Sequence, residues 1–574
     1  MNYFLTYTVY VLILSVLMGL STWKLFKKMG YNPVFAFIPF YNYFIVLKET
    51  KHPKWWAILS YLPIVGPIMM SVFHIYLMKK FGKSLVQHQV LTVVLPFIYM
   101  ASVNYGKDVE IEDENANDLF LTDEEKNIKK KDSFIGSITF AVVFATIIHV
   151  FVTQPFGIPT GSMERTLLVG DFLFVNKWSY GYRLPMRPVA IPFLQGSVYD
   201  FQKDGNPKND GKSYVDGVKL PYERIFQFNK PQRNDIVVFN YPQDSVHTAI
   251  DRKDPYVKRC VAVAGETFEM RGGKLFVNGQ PETVLGDQER QRRFIATTAS
   301  QLDIPTLYTN FGFLPVVERE IKQVNPNTNE IIVIGYKYIF TGLTDGIAEE
   351  IKKLPQIKTL EEEILEKGSS DISYYPRKDS NGEILFDKNN NVLFSKKIDT
   401  SNCIFPINKA WNQDWYGPVR IPKKGDVVAI NKETLPMYRW IISEYEHNSV
   451  SEKNGQILIN NQPAKDYTIK QDYYMMVGDN RDASLDARFF GFVPEENIVG
   501  KPMFTWMSLE GAFSDSNSSY QADGWRIRWD RMFKATNTGE ANKTSYWWIA
   551  AMILILFFGW EYFVKLFRKD KSEE

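Results

Sequence analysis

Long apolar runs lie near both ends of the chain, and shorter alternating patterns fill the region between them. Residues 3–23 and 134–152 are apolar, and the second run contains no formal charge. Residues 546–564 are also apolar apart from Glu561. A helix of roughly 19 residues spans about 28 Å, which is enough to cross a hydrocarbon core. The pattern therefore predicts membrane helices near the N-terminus, at 133–153 and at 546–564.

Basic residues beside these runs predict how the chain is oriented. The run at 3–23 has no basic segment before it and is followed by Lys24, Lys27 and Lys28. Three lysines precede the run at 134–152, and four basic residues follow the run at 546–564. Basic flanks stay on the cytoplasmic side of a membrane. The residues between 154 and 545 are therefore expected on the outer face.

The first part of the chain contains further apolar stretches that are interrupted by prolines. These stretches lie at 33–47, 55–77 and 86–103. If the loops on both sides are cytoplasmic, only an even number of the three can cross, so one should be re-entrant or interfacial. The pattern does not select which one. Residues 1–105 are thus predicted to be a multi-span membrane region, and the charged, aromatic-poor residues 106–132 a cytoplasmic linker.

Between residues 154 and 529, short runs of β-branched and aromatic residues alternate with turn residues. Such runs are typical of strands. Strands are predicted at 172–175, 236–239, 257–263, 274–277, 427–430, 457–459 and 473–477. This density of strands predicts a mainly β catalytic domain of the barrel or sandwich class.

Residues 282–420 interrupt the β pattern. They are polar, with a helix-like stretch at 346–367 and turn clusters at 379–382 and 387–391. This composition predicts an inserted α+β subdomain, or cap. The β-rich domain would then consist of two parts, residues 154–281 and 421–530.

Two β-like segments also resemble each other. Residues 231–240 match residues 422–431 in polarity at nearly every position, and each segment is followed by a hairpin-like run, at 274–281 and 456–463. The likeness favours a small duplicated β unit. The alternative is that two strand–turn segments converged by composition.

Composition excludes several classes of function. The formal net charge is only +2, so no basic field attracts nucleic acid. Cys260 and Cys403 are too few for a disulfide framework; they form either one bridge or two buried thiols. The six histidines are scattered and give little material for a Ser-His-Asp triad or a zinc site. We therefore expect no metal, no cofactor and no nucleic-acid partner.

Three segments carry residues suited to chemistry, although each also has a plain structural explanation. Residues 154–163 place Ser162 behind a Pro-Thr-Gly step that restricts the backbone, but most Gly-Ser pairs are loops. Residues 256–266 set Lys258 in an apolar strand, where lysine is usually an edge residue with a snorkelling stem. Residues 476–488 are dense in turn formers and charges, as in an ion-paired or calcium-like loop.

In this order, behind a predicted membrane helix, the segments resemble the signature boxes of bacterial type I signal peptidases, which are Ser/Lys dyad serine proteases. The nucleophile box resembles 159–163, the general-base box 256–259, and the last box 478–482 through Arg488. The strand at 234–239 also fits. The resemblance covers the catalytic parts of 154–500, but neither the insert nor most of the first 105 residues.

Three positions depart from the family pattern. Arg165 stands where the family usually has proline, Asn234 replaces glycine, and Ala487 replaces serine. None of these changes removes a reactive group. They put the local geometry in doubt more than the activity.

The resemblance implies a role for each matching residue. Ser162 would attack the scissile carbonyl, Lys258 would accept its proton as a neutral amine, and Ser484 would orient that amine. The Thr160 hydroxyl and the Ser162 amide would stabilise the oxyanion. Asp479 and the Asp486–Arg488 ion pair would support the site. The residues near shallow substrate pockets for small side chains would be Phe156, Ile158, Leu167, Tyr256 and Val257.

The implied function is removal of signal peptides from exported precursors at the periplasmic face of a bacterial cytoplasmic membrane. Ser162 follows the predicted helix closely enough to lie within about 35 Å of its end. Trp506, Met507, Trp525 and Trp529 would contact the bilayer or pack in the core. The oligomeric state is not indicated. The alternatives are a self-cleaving repressor-type protease, against which the membrane runs argue, and a membrane-tethered β scaffold.

The predicted orientation has a direct test. A cysteine introduced near Asn209 should react from outside with a membrane-impermeant thiol reagent, and one near Glu114 should not, because only the first lies on the outer face. Labelling of intact cells, with detergent-opened cells as the control, measures this. The reverse labelling pattern would contradict the orientation.

Overall fold

The computed structural model describes residues 2–107, 109–111, 141–199, 210–247, 249–286, 288–311, 317–324, 330–369, 373–376, 394–397, 404–453, 455–513, 524–536, 539, 547–548, 551–552 and 555. They belong to two compact units. The first comprises Met1–Gln154, Gly181–Phe228 and Asp244–Asp254. The second comprises Pro155–Tyr180, Asn229–Gln243 and Pro255–Glu574.

Helices dominate the beginning of the chain and strands the rest. The α-helices are α1 (Tyr3–Lys28), α2 (Tyr41–Glu49), α3 (Val65–Lys80), α4 (Val86–Val94), α5 (Pro96–Tyr105), α6 (Ala141–Phe151), α7 (Ile304–Phe311), α8 (Asp345–Lys352), α9 (Leu435–Trp440) and α10 (Ala487–Phe490). A π-helical turn, Ile441–Tyr445, follows α9. Short 3-10 helices lie at Pro33–Phe37, Lys54–Tyr61, Gly161–Met163, Ile250–Arg252, Glu495–Asn497 and Trp529–Arg531.

The strands are mostly short, as the alternating pattern predicts, although Ile331–Thr344 and Ile498–Glu510 have 14 and 13 residues. They are β1 (Thr153–Gly157), β2 (Asp171–Asn176), β3 (Tyr182–Arg183), β4 (Ser197–Tyr199), β5 (Gly211–Lys212), β6 (Arg224–Ile225), β7 (Ile236–Asn240), β8 (Pro255–Ala262), β9 (Thr267–Arg271), β10 (Lys274–Val277), β11 (Gln280–Pro281), β12 (Gln291–Thr298), β13 (Val317–Val324), β14 (Ile331–Thr344), β15 (Ile357–Glu362), β16 (Ser373–Pro376), β17 (Phe394–Lys397), β18 (Trp415–Arg420), β19 (Val427–Ala429), β20 (Val450–Lys453), β21 (Gln456–Ile459), β22 (Gln462–Pro463), β23 (Asp466–Thr468), β24 (Tyr473–Val477), β25 (Val493–Pro494), β26 (Ile498–Glu510), β27 (Arg526–Ile527) and β28 (Lys534–Ala535). All seven predicted strands are confirmed, and the mainly β class with them.

In the first unit, α1 contains the predicted N-terminal apolar run. The Asn2 side chain accepts a hydrogen bond from the Leu5 amide and caps the start of the helix. Lys27 and Lys28 occupy its last turn, where positive charge favours the helix dipole. One face of α1 packs through Met18 and Phe26 into a core shared with α2, α3 and α5. The opposite face remains apolar and exposed.

By length and composition, α1 is the one unbroken helix among the described residues that could cross a membrane. The predicted apolar stretch at 86–103 is broken at Leu95–Pro96, where α4 and α5 meet at a bend of 120°. The residue before a proline avoids helical geometry, which explains the break. It makes this pair either a broken span or a re-entrant segment. The described part of the 134–152 run is the short helix α6, and most of the 546–564 run lies outside the described residues.

The first unit also contains later segments of the chain. The Tyr3 hydroxyl donates to the Pro185 carbonyl at 3.1 Å, and the Ile64 amide donates to the Pro188 carbonyl at 2.7 Å. The start of α1 and the turn before α3 are thus bound to residues more than a hundred positions later. These hydrogen bonds explain why Gly181–Phe228 belongs to this unit.

One histidine of this unit, His247, contacts two polar side chains, although the histidines are scattered along the sequence. His247 Nδ1 lies 2.7 Å from Asp244 Oδ2, and its Nε2 lies 3.0 Å from Ser197 Oγ. The fold thus brings a serine, a histidine and an aspartate together, which the scattered positions of the histidines in the sequence do not indicate. Backbone amides of Val246, His247 and Asp254 also donate to Asp244, which makes the carboxylate the anchor of a turn. His247 links that turn to β4.

The second unit contains the main sheet, whose strand order is β1-β2-β26-β7-β8-β24-β25, with β27 and β28 also paired to β26. Strand β8 lies between β7 and β24, so both of its edges are hydrogen-bonded. Its last five residues are buried because both faces are covered. A residue on β8 is therefore held rigidly and away from water.

The region predicted as an insert contains its own sheet, in the order β13-β14-β12-β15. Phe294, Tyr338, Leu343 and Ile351 form a separate apolar core between this sheet and helices α7 and α8. The helix predicted at 346–367 is wrong beyond α8, because Ile357–Glu362 pairs with β12 as a strand. The turn clusters predicted at 379–382 and 387–391 lie outside the described residues.

The two hairpin-like runs of the suspected repeat form similar structures. Strands β9-β10-β11 and β20-β21-β22 are both antiparallel meanders. The hairpin turns contain residues with positive φ at equivalent positions, Asn278 and Asn460. This likeness favours the duplicated unit over chance. Cys260 is a buried free thiol, and Cys403 lies outside the described residues.

Candidate active site

Ser162 and Lys258 meet although 96 positions separate them in the chain. Ser162 lies in the 3-10 turn Gly161–Met163 that follows β1, and Lys258 is the fourth residue of β8. Lys258 Nζ is 2.7 Å from Ser162 Oγ and also donates to the Val257 carbonyl at 3.1 Å. Both side chains are buried, with exposed fractions of 7% for Ser162 and 4% for Lys258. Such a contact can transfer a proton between the two groups.

Burial weakens the charged form of the lysine. It lowers the pKa of Lys258 from 10.5 to about 8, because the ammonium ion loses its hydration. Asp486 and Asp479 act in the opposite direction through their negative charges. The desolvation effect is larger. A substantial fraction of this amine is therefore neutral at mildly alkaline pH.

The two nearby carboxylates are each paired with an arginine. Arg259 binds Asp479 through two hydrogen bonds of 2.9 and 2.7 Å, and Arg488 binds Asp486 through two of 2.9 and 2.8 Å. Burial alone would raise the pKa of each carboxyl group, but its arginine holds that pKa below the usual range. Each charge therefore faces an arginine more closely than it faces Lys258, which limits how far it can stabilise the ammonium form.

The loop after β24 lies directly against the turn that contains Ser162. The Asn480 amide donates to the Ser162 carbonyl at 3.2 Å, and its side chain donates to the Gly161 carbonyl at 3.1 Å. A β-carbon at Gly478 would lie 2.2 Å from Ser484 Oγ and 2.5 Å from the Ser162 carbonyl oxygen. Only glycine permits this close approach. The loop thereby fixes the backbone of the serine turn.

Two predicted catalytic side chains lie beside this pair without contacting the lysine. Ser484 is buried and lies close enough to Asp486 to help lower the pKa of that carboxyl group by hydrogen bonding. The hydrogen bonds of the Lys258 amine go to Ser162 and Val257, so the orienting role of Ser484 stays a prediction. Thr160 is exposed at the start of the serine turn, and its side chain does not cap that turn. Its hydroxyl is available to a bound group.

A cleft of about 270 Å³ opens onto Ser162 and Lys258. Four of the five predicted substrate-binding residues line it: Phe156, Ile158, Tyr256 and Val257. The fifth, Leu167, is absent from this lining, since it is fully buried and packs with Met163 and Leu173; its substrate-binding role stays a prediction. The remaining lining is mostly apolar and includes Leu173, Val238, Ala483 and Leu485. The cleft suits a short, extended apolar segment.

Three residues of the site were not predicted from the sequence. Arg259 neutralises Asp479, Thr166 Oγ1 donates to Asp479 Oδ2 at 2.7 Å, and Asn480 binds the serine turn. Each lies inside or next to a predicted segment. The available signal was an arginine inside an apolar strand, which requires an acidic partner when buried. Nothing in the pattern indicates that this partner lies 220 positions later.

Two known families match parts of the chain, and the first of them covers about half of it. The family described as signal peptidase, peptidase S26, matches residues 131–328 and 417–507. The match extends into the predicted insert, whose residues 329–416 lie outside it. We expected the whole insert to lie outside the family, so the unmatched part is smaller than predicted. A second family, of unknown function (DUF5684), matches residues 34–113 in the first unit.

Individual relatives agree with the first family. The chain is 25% identical to signal peptidase I of Buchnera aphidicola subsp. Schizaphis graminum over 67% of this chain and 78% of the relative. It is also 25% identical to signal peptidase I of Haemophilus influenzae, over 72% and 80%. Signal peptidase I of Rickettsia massiliae is 27% identical over 36% of this chain and 66% of the relative.

The buried amine predicts a pH-dependent gain in stability when it is removed. Lys258→Met should raise the free energy of unfolding at pH 7 by at most about 3 kcal/mol, the cost that corresponds to lowering a pKa from 10.5 to about 8. The wild-type penalty is complete below pH 8 and disappears as the pH rises to 10.5. Thermal unfolding of the two proteins at pH 7 and pH 10 measures the difference. An equal gain at both pH values would contradict the argument.

The close approach at Gly478 predicts a specific cost for an added methyl group. Gly478→Ala should reduce stability by about 1–3 kcal/mol, because the Ser162 backbone cannot move aside cheaply. Gly346→Ala is a matched control, since a β-carbon there meets no atom within 4 Å. Thermal unfolding of both variants decides this: equal effects would show that the site tolerates the methyl group.

Proposed function

Because this chain belongs to the signal peptidase family, peptidase S26, it is a serine endopeptidase that cleaves signal peptides, and we propose that Ser162 is its nucleophile and Lys258 its general base. The observation that carries the proposal is the 2.7 Å contact between Lys258 Nζ and Ser162 Oγ at the base of the cleft. The two groups meet the geometric requirement for an activated nucleophile and its base.

In the first step, the neutral Lys258 amine accepts the Ser162 hydroxyl proton as Oγ attacks the scissile carbonyl carbon. The resulting ammonium ion then donates this proton to the nitrogen of the departing chain, and the C–N bond breaks. Water, deprotonated by the same amine, then attacks the acyl-serine ester. The bond between the acyl carbon and Ser162 Oγ breaks, the Lys258 ammonium ion returns its proton to Oγ, and the signal peptide leaves with a free carboxyl group. Lys258 can act in both directions because its pKa of about 8 lies close to the working pH.

The tetrahedral intermediate places negative charge on the former carbonyl oxygen. We assign its stabilisation to the Ser162 amide and the exposed Thr160 hydroxyl at the edge of the cleft. The Asp479–Arg259 and Asp486–Arg488 pairs support the site by fixing the loops on either side. Ser484 is buried beside Asp486, and we propose that its hydroxyl orients the Lys258 amine.

Substrate recognition is assigned to the apolar cleft. Phe156, Ile158, Tyr256 and Val257 leave room for small side chains, and Tyr256 is held by a stacked contact with Tyr241 at 4.6 Å. A small cleft excludes bulky residues by overlap. This agrees with small residues near the cut in exported precursors.

We further propose that the chain is a multi-pass protein of a bacterial cytoplasmic membrane, with the β domain on the periplasmic face. The support is α1, with its apolar exposed face and basic final turn, and the apolar run at 134–152, which directly precedes the β domain in the sequence. Trp525 and Trp529, with exposed fractions of 76% and 65%, are suited to the lipid interface. Trp506 and Met507 are half-buried.

We also propose boundaries for the peptidase domain and its insert. The peptidase domain would comprise 154–281 and 421–530, and residues 282–420 would form the cap subdomain. The separate core around Tyr338 supports an insert that folds as a unit.

Two variants test the proposed roles. Ser162→Ala should abolish cleavage of a model precursor, and Lys258→Arg should be as inactive as Lys258→Ala, because a guanidinium group does not deprotonate in a protein. In the wild type, turnover should rise with pH through about 8, as the Lys258 amine loses its proton. The rates of a peptide substrate between pH 6 and 10 measure this.

An unchanged thermal midpoint for Ser162→Ala is the folding control. Retained cleavage by this variant would rule out Ser162 as the nucleophile, and substantial turnover by Lys258→Arg would rule out Lys258 as the base. A wild-type pH–rate profile without an acid limb near pH 8 would show that the general base is a group other than Lys258.

A further inference from the structure

The turn that follows Ser162 has an unusual corner. Arg165 has φ of +69°, in the left-handed region that few residues other than glycine adopt. The hydrogen bonds from the Glu164 amide to the Gly161 carbonyl and from the Leu167 amide to the Met163 carbonyl enclose this corner. A non-glycine residue keeps this conformation only where its surroundings stabilise it.

The Arg165 side chain provides such a contact. Its Nη2 donates to the carbonyl oxygen of Phe311 at 2.8 Å, and Phe311 is the last residue of α7. The last carbonyl groups of a helix have no partner within it and carry the negative end of its dipole. A guanidinium group is well suited to that position. Arg165 therefore binds the C-terminal end of a helix in the predicted insert.

The helix that Arg165 binds is itself well anchored. At its start, the Thr306 amide and hydroxyl donate to the Asp303 carboxylate at 3.3 and 2.6 Å. Along its length, Leu307 is buried in the core of the insert. Because α7 is fixed at its start and along one face, its end is a stable attachment point for the turn.

The next residue, Thr166, forms two further hydrogen bonds. Thr166 Oγ1 donates to Asp479, the partner of Arg259, and accepts a hydrogen bond from the Glu289 amide at 3.2 Å. Residues 165 and 166 thus connect the serine turn to the insert, through Phe311 and Glu289, and to the ion pair between Arg259 and Asp479. Ser162 lies only three residues before this double attachment.

Arg165 also stands where a proline would be expected from the family pattern. The proline ring fixes φ near −65°, so a proline cannot adopt +69°. The arginine and its left-handed corner therefore belong together in this chain. The backbone after Ser162 is therefore restrained by the contact with α7, and not by a rigid proline ring.

We propose that Arg165 is a positioning residue of the active site, which holds the Ser162 turn in place by binding the C-terminus of α7. The insert then contributes to catalysis without contacting the substrate. This inference rests on the proposed role of Ser162 as the nucleophile. A nucleophile that is misplaced by about an ångström loses one to two orders of magnitude in rate.

The test separates the contact from the backbone strain. Arg165→Gly keeps the left-handed corner without strain but removes the contact, so kcat for a peptide substrate should fall about 10- to 100-fold while KM changes little. Arg165→Lys has the same strain as arginine but keeps a cation, and should retain most of kcat. The acid limb of the pH–rate profile should not move in either variant, because the surroundings of Lys258 are unchanged. A purely structural role would not produce rescue by lysine.

A second pair of variants measures the coupling independently of activity. Asp303→Ala weakens α7 at its other end, and its effect on the thermal midpoint should be smaller in the Arg165→Gly background than in the wild type. This readout stays valid whichever serine is the nucleophile, so it distinguishes failure of this inference from failure of the proposed function.

Several results would overturn the inference. They are wild-type kcat in Arg165→Gly, equal loss in Arg165→Lys and Arg165→Gly with both proteins folded, or fully additive effects of Asp303→Ala and Arg165→Gly. If Arg165→Gly fails to fold, Arg165→Asn replaces it, because asparagine tolerates the left-handed region and cannot reach the Phe311 carbonyl.

Discussion

The active site depends on removing water from one amine while keeping nearby carboxylates from holding its proton. Lys258 is buried on a strand that is paired on both edges, so its charged form is penalised. The carboxylates of Asp479 and Asp486 would reverse this effect if they were unpaired. Each carboxylate forms a bidentate contact with an arginine, Arg259 or Arg488, and therefore stabilises that guanidinium group more than the Lys258 ammonium ion. Each pair is buried and would be costly to break, since loss of one partner leaves an uncompensated charge.

The same ion pairs organise the backbone around Ser162, the proposed nucleophile. Asp479 precedes Asn480, which binds the Ser162 carbonyl, and it accepts a hydrogen bond from Thr166 at the far end of the serine turn. Asp486 accepts a hydrogen bond from the Gly478 amide, where the loop begins. One network of charges therefore acts both on the pKa of Lys258 and on the position of Ser162. Proton transfer requires both, because it depends on distance as well as on pKa.

The insert has a closer relation to the site than its polar composition indicates. Its first strand begins at Gln291, whose backbone exchanges hydrogen bonds with Asp479 and Arg481, and Arg292 binds the buried Asp414 and Asp482. The insert thus begins inside the network of the catalytic loops. The family match agrees with this, since it continues to residue 328 and resumes at 417. Residues 329–416 of the insert lie outside that match.

The sequence by itself determined the strands, the catalytic boxes and the order of the main segments, because alternation of apolar residues and short runs of reactive residues are local properties. It predicted Ser162 and Lys258 through three separated segments. The tertiary structure decided which charges cancel, since Arg259 and Asp479 are 220 positions apart. It also placed Leu167 in the core, brought Ser484 beside Asp486, and turned part of a predicted helix into β15. These outcomes depend on contacts between distant segments, and the period of a single segment contains no information about its partner.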